Sequence, residues 1–326
     1  MNILITGGAG YIGSHVVYEC LEAGHDVVVL DDLSTGVRDN LPVGDIHFVF
    51  GDVGDRELVL RVLHQEAVDA VMHFAASSVV PESVERPLKY YGNNTAGSCA
   101  LIDACVEAGV EHFIFSSTAA VYGVLDEVPV TEEHPTAPTN PYGHSKVMIE
   151  QMLADVSAVT PLSFAALRYF NVAGADPKGR TGESIPESTH LIKVASEVAL
   201  GERPYIEIYG TDYPTPDGTC VRDYIHVSDL ARAHLLALDE LAEHGEDRVL
   251  NCGYGRGFSV REVIETVQRV SDNDFEIREA DRRAGDPPEL VADSSKLREL
   301  YNWQPRYDDL EFIVSTALEW EEYLLS

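Results

Sequence analysis

Two residues that can exchange protons, Tyr142 and Lys146, lie four positions apart in a helical pattern that follows Pro138 and Pro141. Positions i and i+4 share one face of a helix, about one turn apart. A phenol titrates at about pH 10, so it acts as a base near pH 7 only if its anion is stabilised. A lysine cation within about 4–6 Å stabilises that anion. The pair therefore predicts a base that takes a proton from an alcohol.

A hydroxyl-rich tripeptide, Ser116-Ser117-Thr118, ends a predicted strand. In doubly wound sheets the carboxyl edge of the strands carries the ligand site. A Tyr/Lys pair at this spacing is common for structural reasons alone, and the neighbouring hydroxyls give it functional meaning. We predict that a hydroxyl of this tripeptide joins Tyr142 and Lys146 in the catalytic set.

A glycine-rich loop, Gly7 to Gly13, directly follows the first predicted strand and opens the first helix. Glycines at positions 7, 10 and 13 permit a tight turn, close approach of backbone to a pyrophosphate, and close packing of helix on strand. The helix N-terminus, at Tyr11 and Ile12, presents backbone N–H groups and a partial positive charge to phosphates. The loop therefore predicts a dinucleotide site.

Two adjacent acids, Asp31 and Asp32, end the second predicted strand. A carboxylate there accepts hydrogen bonds from the adenosine ribose, and two acids repel a 2′-phosphate, so NAD is favoured over NADP. Asp52 and Val53 follow the third strand, where they can flank the adenine. The positive charge of a bound nicotinamide also favours the Tyr142 phenolate, which predicts hydride chemistry between an alcohol and a ketone.

Strands and helices alternate through the first half, which predicts an α/β fold with a Rossmann-type, doubly wound parallel sheet. The predicted strands are Asn2–Thr6, Asp26–Leu30, His47–Gly51, Ala70–Phe74, His112–Ser116 and Ser163–Arg168. The predicted helices are Tyr11–Ala23, Arg56–Gln65, a long stretch around Leu88–Ala108, Tyr142–Ser157, Pro186–Leu200, Val227–Leu241, Ser259–Val270 and Asp309–Tyr323.

Beyond Asn171 the pattern loosens and long Gly- and Pro-containing loops appear. Such loops beside a rigid sheet often build a ligand site. We predict an NAD-binding domain over residues 1–171, to which a segment near 220–243 returns, and a smaller C-terminal α/β domain over 172–326 that mainly binds substrate.

The chain is strongly acidic, with a formal net charge of −32, and only five of its 23 basic residues are lysines. This charge disfavours nucleic acid as a partner. An acidic, lysine-poor composition resembles that of proteins from salt-accumulating cells. Five scattered cysteines without a CxxC pair support neither a disulfide framework nor a metal site. With no long apolar run and no leader-like N-terminus, we expect a cytoplasmic protein with no membrane contact.

These motifs together resemble the UDP-glucose (UDP-galactose) 4-epimerase family of the extended short-chain dehydrogenase/reductase superfamily. The matching strings span nearly the whole chain: ITGGAGYIGSH at 5–15, HFAA at 73–76, ESVERPLKYYGNN at 82–94, FIFSSTAAVYG at 113–123, PYGHSK at 141–146, LRYFNVAGA at 167–175, YGTDYPTPDGTCVRDYIHVSDLA at 209–231 and RRAGD at 282–286.

The resemblance implies NAD-dependent inversion at C4 of a UDP-hexose, through transient oxidation to a 4-keto sugar and return of hydride to the opposite face. Tyr142 would take the 4-hydroxyl proton, Thr118 would bond the same oxygen, and Lys146 would hold the nicotinamide ribose. It also implies further cofactor contacts, at Phe74, Ala75, Ala76, Asn94, Ser116 and Tyr169. The implied substrate contacts are Phe170, Asn171, His190, Leu191, Tyr209, Arg222, Arg283, Asp286 and Leu290. A homodimer through the segments 88–108 and 142–157 is the assembly that the family implies.

Three positions depart from the family pattern. Ser78 stands where several relatives have lysine, and His190 where asparagine is common. Leu290 stands where strict glucose/galactose enzymes have a bulky tyrosine, which leaves room for an N-acetyl group at C2, so UDP-GlcNAc/UDP-GalNAc are alternative substrates. UDP-pentoses are a further alternative.

Two other functions compete with epimerisation. Related nucleotide-sugar dehydratases and decarboxylases need acid–base groups where this chain has Ala119 and Ala120. A non-catalytic NAD-binding sensor on the same fold would have no use for the Tyr142/Lys146 pair.

Overall fold

The computed structural model describes residues 1–125, 127–185, 188–283 and 285–326. The chain divides into two compact units. Unit 1 comprises Met1–Gly123, Pro135–Arg168 and Ala231–Leu250, and unit 2 comprises Val124–His134, Tyr169–Leu230 and Asn251–Ser326. That one domain binds NAD and the other mainly binds substrate stays a prediction.

Unit 1 is built on a seven-stranded sheet. Its strands are β1 (Asn2–Thr6), β2 (Asp26–Asp31), β3 (His47–Phe50), β4 (Ala70–His73), β5 (His112–Ser116), β6 (Ser163–Tyr169) and, from later in the chain, β10 (Arg248–Cys252). They lie in the order β10-β6-β5-β4-β1-β2-β3, and the pairs from β1 to β6 are parallel. The order reverses direction beside β1, as in a doubly wound fold, so the predicted fold class is confirmed.

The central strands of this sheet are continuous apolar runs because helices cover both faces. Ile3, Leu4 and Ile5 of β1 are fully buried. The helices of unit 1 are α1 (Tyr11–Glu22), α2 (Arg56–Gln65), α3 (Val80–Glu85), α4 (Pro87–Tyr90), α5 (Gly97–Ala108) and α6 (Pro141–Ser157), and α8 (Val227–His244) begins in unit 2 and enters unit 1.

The long helical stretch predicted around Leu88–Ala108 is not one regular helix. A π-helical segment, Tyr91–Ala96, separates α4 from α5. Such segments frequently occur at functional sites, and this one carries the buried Asn94.

Unit 2 is built from short elements. Its strands are β7 (Asn171–Ala173), β8 (Ile206–Tyr209), β9 (Val221–His226), β11 (Gly257–Ser259), β12 (Ile277–Ala280) and β13 (Glu289–Leu290). Strand β9 pairs with β7, β11 and β13, while β8 pairs with β12. The helices are α7 (Leu191–Ala199), α9 (Val260–Ser271), α10 (Ser295–Tyr301) and α11 (Leu310–Leu325).

The predicted helix starts at Ser259 and Asp309 are N-caps, whose side chains accept from the Glu262 and Phe312 amides respectively. Pro186 and Glu187, where another helix was predicted to begin, lie outside the described residues. Within the described part of the chain, no helix is both long enough and apolar enough to cross a membrane.

Candidate active site

The glycine turn between β1 and α1 is closed by backbone contacts that exclude side chains. Gly7 has a φ of +70°, and a Cβ there would meet the Ala75 amide nitrogen at 2.5 Å. A Cβ on Gly13 would meet the Gly7 carbonyl oxygen at 2.2 Å. Gly10, at the start of α1, is less restricted, since a Cβ there would lie 3.2 Å from the same oxygen. The glycines at 7 and 13 therefore serve packing, and Gly10 leaves the backbone open toward a ligand.

The helix that follows presents its N-terminus to that opening. Gly10 begins α1 in an extended conformation, and the helical hydrogen bonds start with the Ser14 amide donating to its carbonyl. Tyr11, Ile12 and Gly13 therefore form the first turn, where backbone N–H groups and the helix dipole favour an anion. This arrangement fits the pyrophosphate of NAD.

The two acids after β2 differ in environment. Asp31 is buried, and its carboxylate accepts from the Ala9 amide at 2.9 Å and the Leu33 amide at 2.8 Å. Burial raises the pKa of Asp31, and the two amide bonds oppose that effect. Asp32 is exposed and accepts from the Ser34 amide at 2.9 Å. Asp31 is thus the oriented carboxylate beside the glycine turn, and Asp32 adds negative charge at the surface.

Five further predicted cofactor residues lie after the next two strands. Asp52 is exposed and accepts from the Gly54 amide at 2.7 Å, whereas Val53 packs in the core of unit 1. Phe74, Ala75 and Ala76 follow β4 and are half-buried. The Phe74 and Ala75 amides donate to the Thr6 carbonyl, which keeps this turn against the glycine loop.

Asn94 of the π-helical segment ties this turn to α6. Its side-chain oxygen accepts from the Ser77 amide at 2.8 Å, and its amide nitrogen donates to the Ser77 carbonyl at 3.0 Å and to Ser145 Oγ at 3.1 Å. Through these hydrogen bonds, Asn94 stabilises the loop after β4 and helix α6, which carry other residues predicted to contact the cofactor.

The structure brings the predicted catalytic set together within unit 1. Asn140 caps α6 by accepting from the Gly143 amide at 2.9 Å, which places Tyr142 and Lys146 on successive turns. Lys146 Nζ donates to the Ser116 carbonyl at 2.9 Å and lies 5.9 Å from the centre of the Tyr142 ring. The Thr118 side chain acts on the Tyr142 hydroxyl and lowers the pKa of that phenol.

Burial sets the protonation of this group. Tyr142 and Lys146 are 7% and 3% exposed. Burial raises the pKa of Tyr142 above its ordinary value, partly offset by the bond from Thr118. Burial lowers the pKa of Lys146 to about 7, although the charge of Glu150 acts in the opposite direction. Without a further positive charge the phenol therefore stays protonated, and the lysine titrates near neutrality.

Sequence reasoning missed the polar residues behind this set. His73 of β4 is fully enclosed, with Nδ1 2.7 Å from Thr6 Oγ1 and Nε2 2.7 Å from Ser98 Oγ. Burial lowers its pKa to about 3, so the ring is neutral. Glu150 and Arg168 form a buried ion pair at 2.6 Å. In the sequence, this ion pair could have been suspected from Glu150, a charged residue four positions after Lys146 and therefore on the same face of α6.

Unit 2 brings together several of the predicted substrate residues. Arg222 of β9 is paired in register with Leu290 of β13. Its Nη2 lies 3.9 Å from Asp286 Oδ1. The Arg283 guanidinium stacks 3.8 Å above the centre of the Tyr209 ring. These two groups offer cationic forks, which suit phosphate oxygens, an aromatic face and an apolar side chain.

The other predicted substrate residues of unit 2 lie elsewhere along its elements. Asn171 is on β7, where it pairs in register with Tyr224, and Phe170 is buried just before it. Leu191 begins α7, and the preceding His190 places Nδ1 2.8 Å from Glu183 Oε1. The negative charge of Glu183 raises the pKa of His190.

Known proteins resemble the chain over nearly its whole length. The model of the NAD dependent epimerase/dehydratase family matches residues 3–253. A curated UDP-glucose 4-epimerase of Azospirillum brasilense is 56% identical over 323 residues, which cover 99% of this chain and 92% of the relative.

Solved structures are equally similar. That of UDP-glucose 4-epimerase from Brucella ovis, in complex with NAD, has a TM-score of 0.94 at 45% identity and covers 98% of this chain and 97% of its own. That of the UDP-Glc/GlcNAc 4-epimerase from Campylobacter jejuni has a TM-score of 0.87 at 50% identity, with 99% of both chains covered. The chain therefore belongs to the NAD dependent epimerase/dehydratase family and, within it, to the UDP-glucose 4-epimerases.

Proposed function

We propose that the protein interconverts UDP-glucose and UDP-galactose by oxidising the sugar at C4 and reducing the resulting ketone from its opposite face. The observation that carries this proposal is the buried Thr118/Tyr142/Lys146 group at the same carboxyl edge of the parallel sheet as a glycine turn that fits a dinucleotide. NAD, when bound, supplies the acceptor and donor of the C4 hydride.

The protein's own contribution to the reaction is to move one proton at the Tyr142 hydroxyl. Its oxygen accepts the proton of the sugar 4-hydroxyl during oxidation and returns it during reduction. Because burial disfavours the phenolate, the charge of Lys146 and that of the oxidised nicotinamide are both needed to form it. Thr118 acts in the same direction, because its side chain lowers the pKa of Tyr142.

We assign the nucleotide-sugar contacts to unit 2. Arg222 and Arg283 provide cationic groups for the diphosphate, while Asp286 accepts from the uridine ribose. The other predicted substrate contacts are Phe170, Asn171, His190, Leu191 and Tyr209. Asp31, Asp52 and Asn94, with the glycine turn, Ser116 and Tyr169, are assigned to the cofactor, so we propose that unit 1 mainly binds NAD.

The position of Leu290 favours a second substrate class. Leucine beside Arg222 leaves more room than a tyrosine would, and we therefore propose detectable turnover of UDP-GlcNAc. The reaction of the Campylobacter jejuni relative, a UDP-Glc/GlcNAc 4-epimerase, is consistent with this proposal. Ala119 and Ala120 carry no acid–base group, which argues against dehydration.

We also propose a cytoplasmic location, a homodimer and a requirement for high salt. Five free thiols suit a reducing compartment such as the cytoplasm. Val84, Leu88 and Met148, on α3, α4 and α6, are 63%, 82% and 44% exposed, which supports a homodimer through this face. The acidic surface supports a requirement for high salt, since at about 1 M ionic strength the Debye length falls to about 3 Å.

The experiment that tests the reaction is conversion of UDP-galactose by wild-type protein and by Tyr142→Phe. Phenylalanine keeps the ring that contacts Tyr90 edge-on at 6.4 Å but removes the hydroxyl. We expect a loss of about 10²–10⁴-fold in turnover with NAD still bound. Wild-type protein that holds NAD but leaves UDP-galactose unchanged would refute the proposed reaction. Normal turnover by the variant would refute the assigned base.

A further inference from the structure

A buried carboxylate, Glu150, lies one helical turn beyond Lys146 on α6. Its Oε1 accepts from Ser117 Oγ at 2.5 Å and from Arg168 Nε at 3.0 Å, and its Oε2 accepts from Arg168 Nη2 at 2.6 Å. Arg168 also donates to the Tyr122 hydroxyl at 3.0 Å. Each of these side chains is buried, and none of them takes part in the proposed proton transfer.

This carboxylate joins the elements that place the reacting groups. Ser117 lies between Ser116, whose carbonyl accepts from Lys146, and Thr118, whose side chain lowers the pKa of Tyr142. The Ser117 amide also donates to the Leu167 carbonyl of β6 at 2.9 Å. Through Ser117 and Arg168, Glu150 therefore connects the carboxyl end of β5, strand β6 and helix α6.

The same carboxylate balances the buried charges. Lys146 is faced by Tyr142 and Glu150 from its own helix, by the Phe115 ring at 4.9 Å and the Ser116 carbonyl from β5, and by the neutral His73 from β4. Arg168 of β6 is a second buried cation. Although its burial acts in the opposite direction, hydrogen bonds and charge attraction from Glu150 raise the pKa of Arg168.

A buried cation that loses its partner is strongly unfavourable. Without Glu150, Arg168 would be left uncompensated in the same interior as Lys146. The positive charge of the lysine, which the phenolate needs, would then be harder to maintain.

We propose that Glu150 is a positioning residue for the C4 reaction, fixing the 116–118 segment against α6 and supplying negative charge next to the buried cations Arg168 and Lys146. This inference rests on the proposed function. Glu150 acts through Lys146 and Thr118, not by contact with substrate.

The test compares Glu150→Gln with wild-type protein, NAD bound, in UDP-galactose conversion across pH 5.5–9. Glutamine keeps the shape and removes the charge. We expect kcat to fall about 10- to 100-fold with KM nearly unchanged, because misplaced reacting groups cost this much. The alkaline limit of kcat should move down by about one pH unit, because the lysine loses its charge sooner.

Two further variants separate positioning from general stability. Ser117→Ala removes only the hydroxyl that ties the loop to Glu150, so kcat should fall several-fold, and Ser117→Thr should restore it. Glu321→Gln breaks a comparably buried ion pair with Lys193, at 2.5 Å in unit 2, and should leave the pH profile unchanged. If Glu150→Gln does not fold, the two Ser117 variants decide the question.

Several results would overturn the proposal. One is a folded Glu150→Gln protein with wild-type kcat and an unshifted alkaline limit. Others are an unchanged kcat in Ser117→Ala, or an equal shift of the pH profile in Glu321→Gln.

A readout that needs no turnover is NMR titration of the Lys146 ammonium in the NAD-bound protein. Its pKa should be lower in Glu150→Gln, and an unchanged value would also overturn the proposal. If wild-type protein fails to convert UDP-galactose while the Lys146 titration still shifts, the proposed function fails and the charge coupling stands.

Discussion

Replacing Lys146 with methionine should abolish activity and make the cofactor-free protein more stable. The side chain is 3% exposed, and its ammonium donates to one backbone carbonyl, that of Ser116. Methionine has similar length and no charge. Functional groups held in unfavourable environments commonly reduce stability, and this lysine is such a group.

The magnitude follows from the titration of the lysine. Its pKa falls from the ordinary 10.5 to about 7 in the folded protein, a shift that corresponds to about 5 kcal/mol. The variant also loses the hydrogen bond to the Ser116 carbonyl, which reduces the expected gain in stability by about 1–3 kcal/mol. Below pH 7 the lysine is charged in both states, so the destabilisation is fully present and Lys146→Met should be about 2–4 kcal/mol more stable.

The sign of the pH dependence is also fixed. Between pH 7 and pH 10.5 the folded lysine is neutral while the unfolded lysine still holds its proton, so the contribution of Lys146 to the stability of the wild-type protein rises with pH. The advantage of Lys146→Met should therefore shrink by about 2 kcal/mol between pH 6 and pH 8.5.

The assay is urea unfolding of the cofactor-free proteins, followed by circular dichroism at pH 6 and pH 8.5. Lys193→Met is the matched control, because Lys193 is equally buried but is paired with Glu321 and Glu197. Removing one partner of a buried pair should destabilise the protein. The reasoning would be refuted if Lys146→Met were less stable than wild type at pH 6, or if the difference did not change with pH.

Three other predictions test separate parts of the account. Gly13→Ala should lose bound NAD, because the alanine Cβ would lie 2.2 Å from the Gly7 carbonyl oxygen. The measurement is the amount of NAD released per chain. The control is Gly92→Ala, where a Cβ meets open space, and this variant should retain NAD. Leu290→Tyr should lower turnover of UDP-GlcNAc at least about tenfold while UDP-galactose is still converted, since a filled pocket excludes the larger group; equal loss of both would contradict the specificity proposal. The melting temperature should rise between dilute buffer and about 1 M KCl as surface repulsion is screened, and an unchanged value would rule out the salt requirement.

The strands of unit 1 could be predicted from sequence because buried parallel strands are short, uninterrupted apolar runs. All six predicted strands lie within one residue of those observed, as β1 and β5 illustrate. The glycine turn was equally accessible, since its spacing reflects local contacts. Strand β10 was missed because its apolar run, around Val249 and Leu250, is brief and follows a polar segment.

Features that depend on tertiary contacts could not be predicted. The strands of unit 2 are two to six residues long, too short to establish a period. The π-helical segment reflects how Asn94 meets Ser77 and Ser145. The pairing of Glu150 with Arg168 joins a helix to a strand, and no local pattern specifies it.

The most direct test of the central claim is the fate of the C4 hydrogen. UDP-galactose that carries deuterium at C4 is incubated in ordinary water with purified protein and no added NAD, and the UDP-glucose formed is analysed by NMR. We expect conversion with the deuterium retained at C4, because the hydride removed from the sugar is returned within one site. Loss of deuterium to the solvent, or conversion only when NAD is supplied continuously, would contradict it.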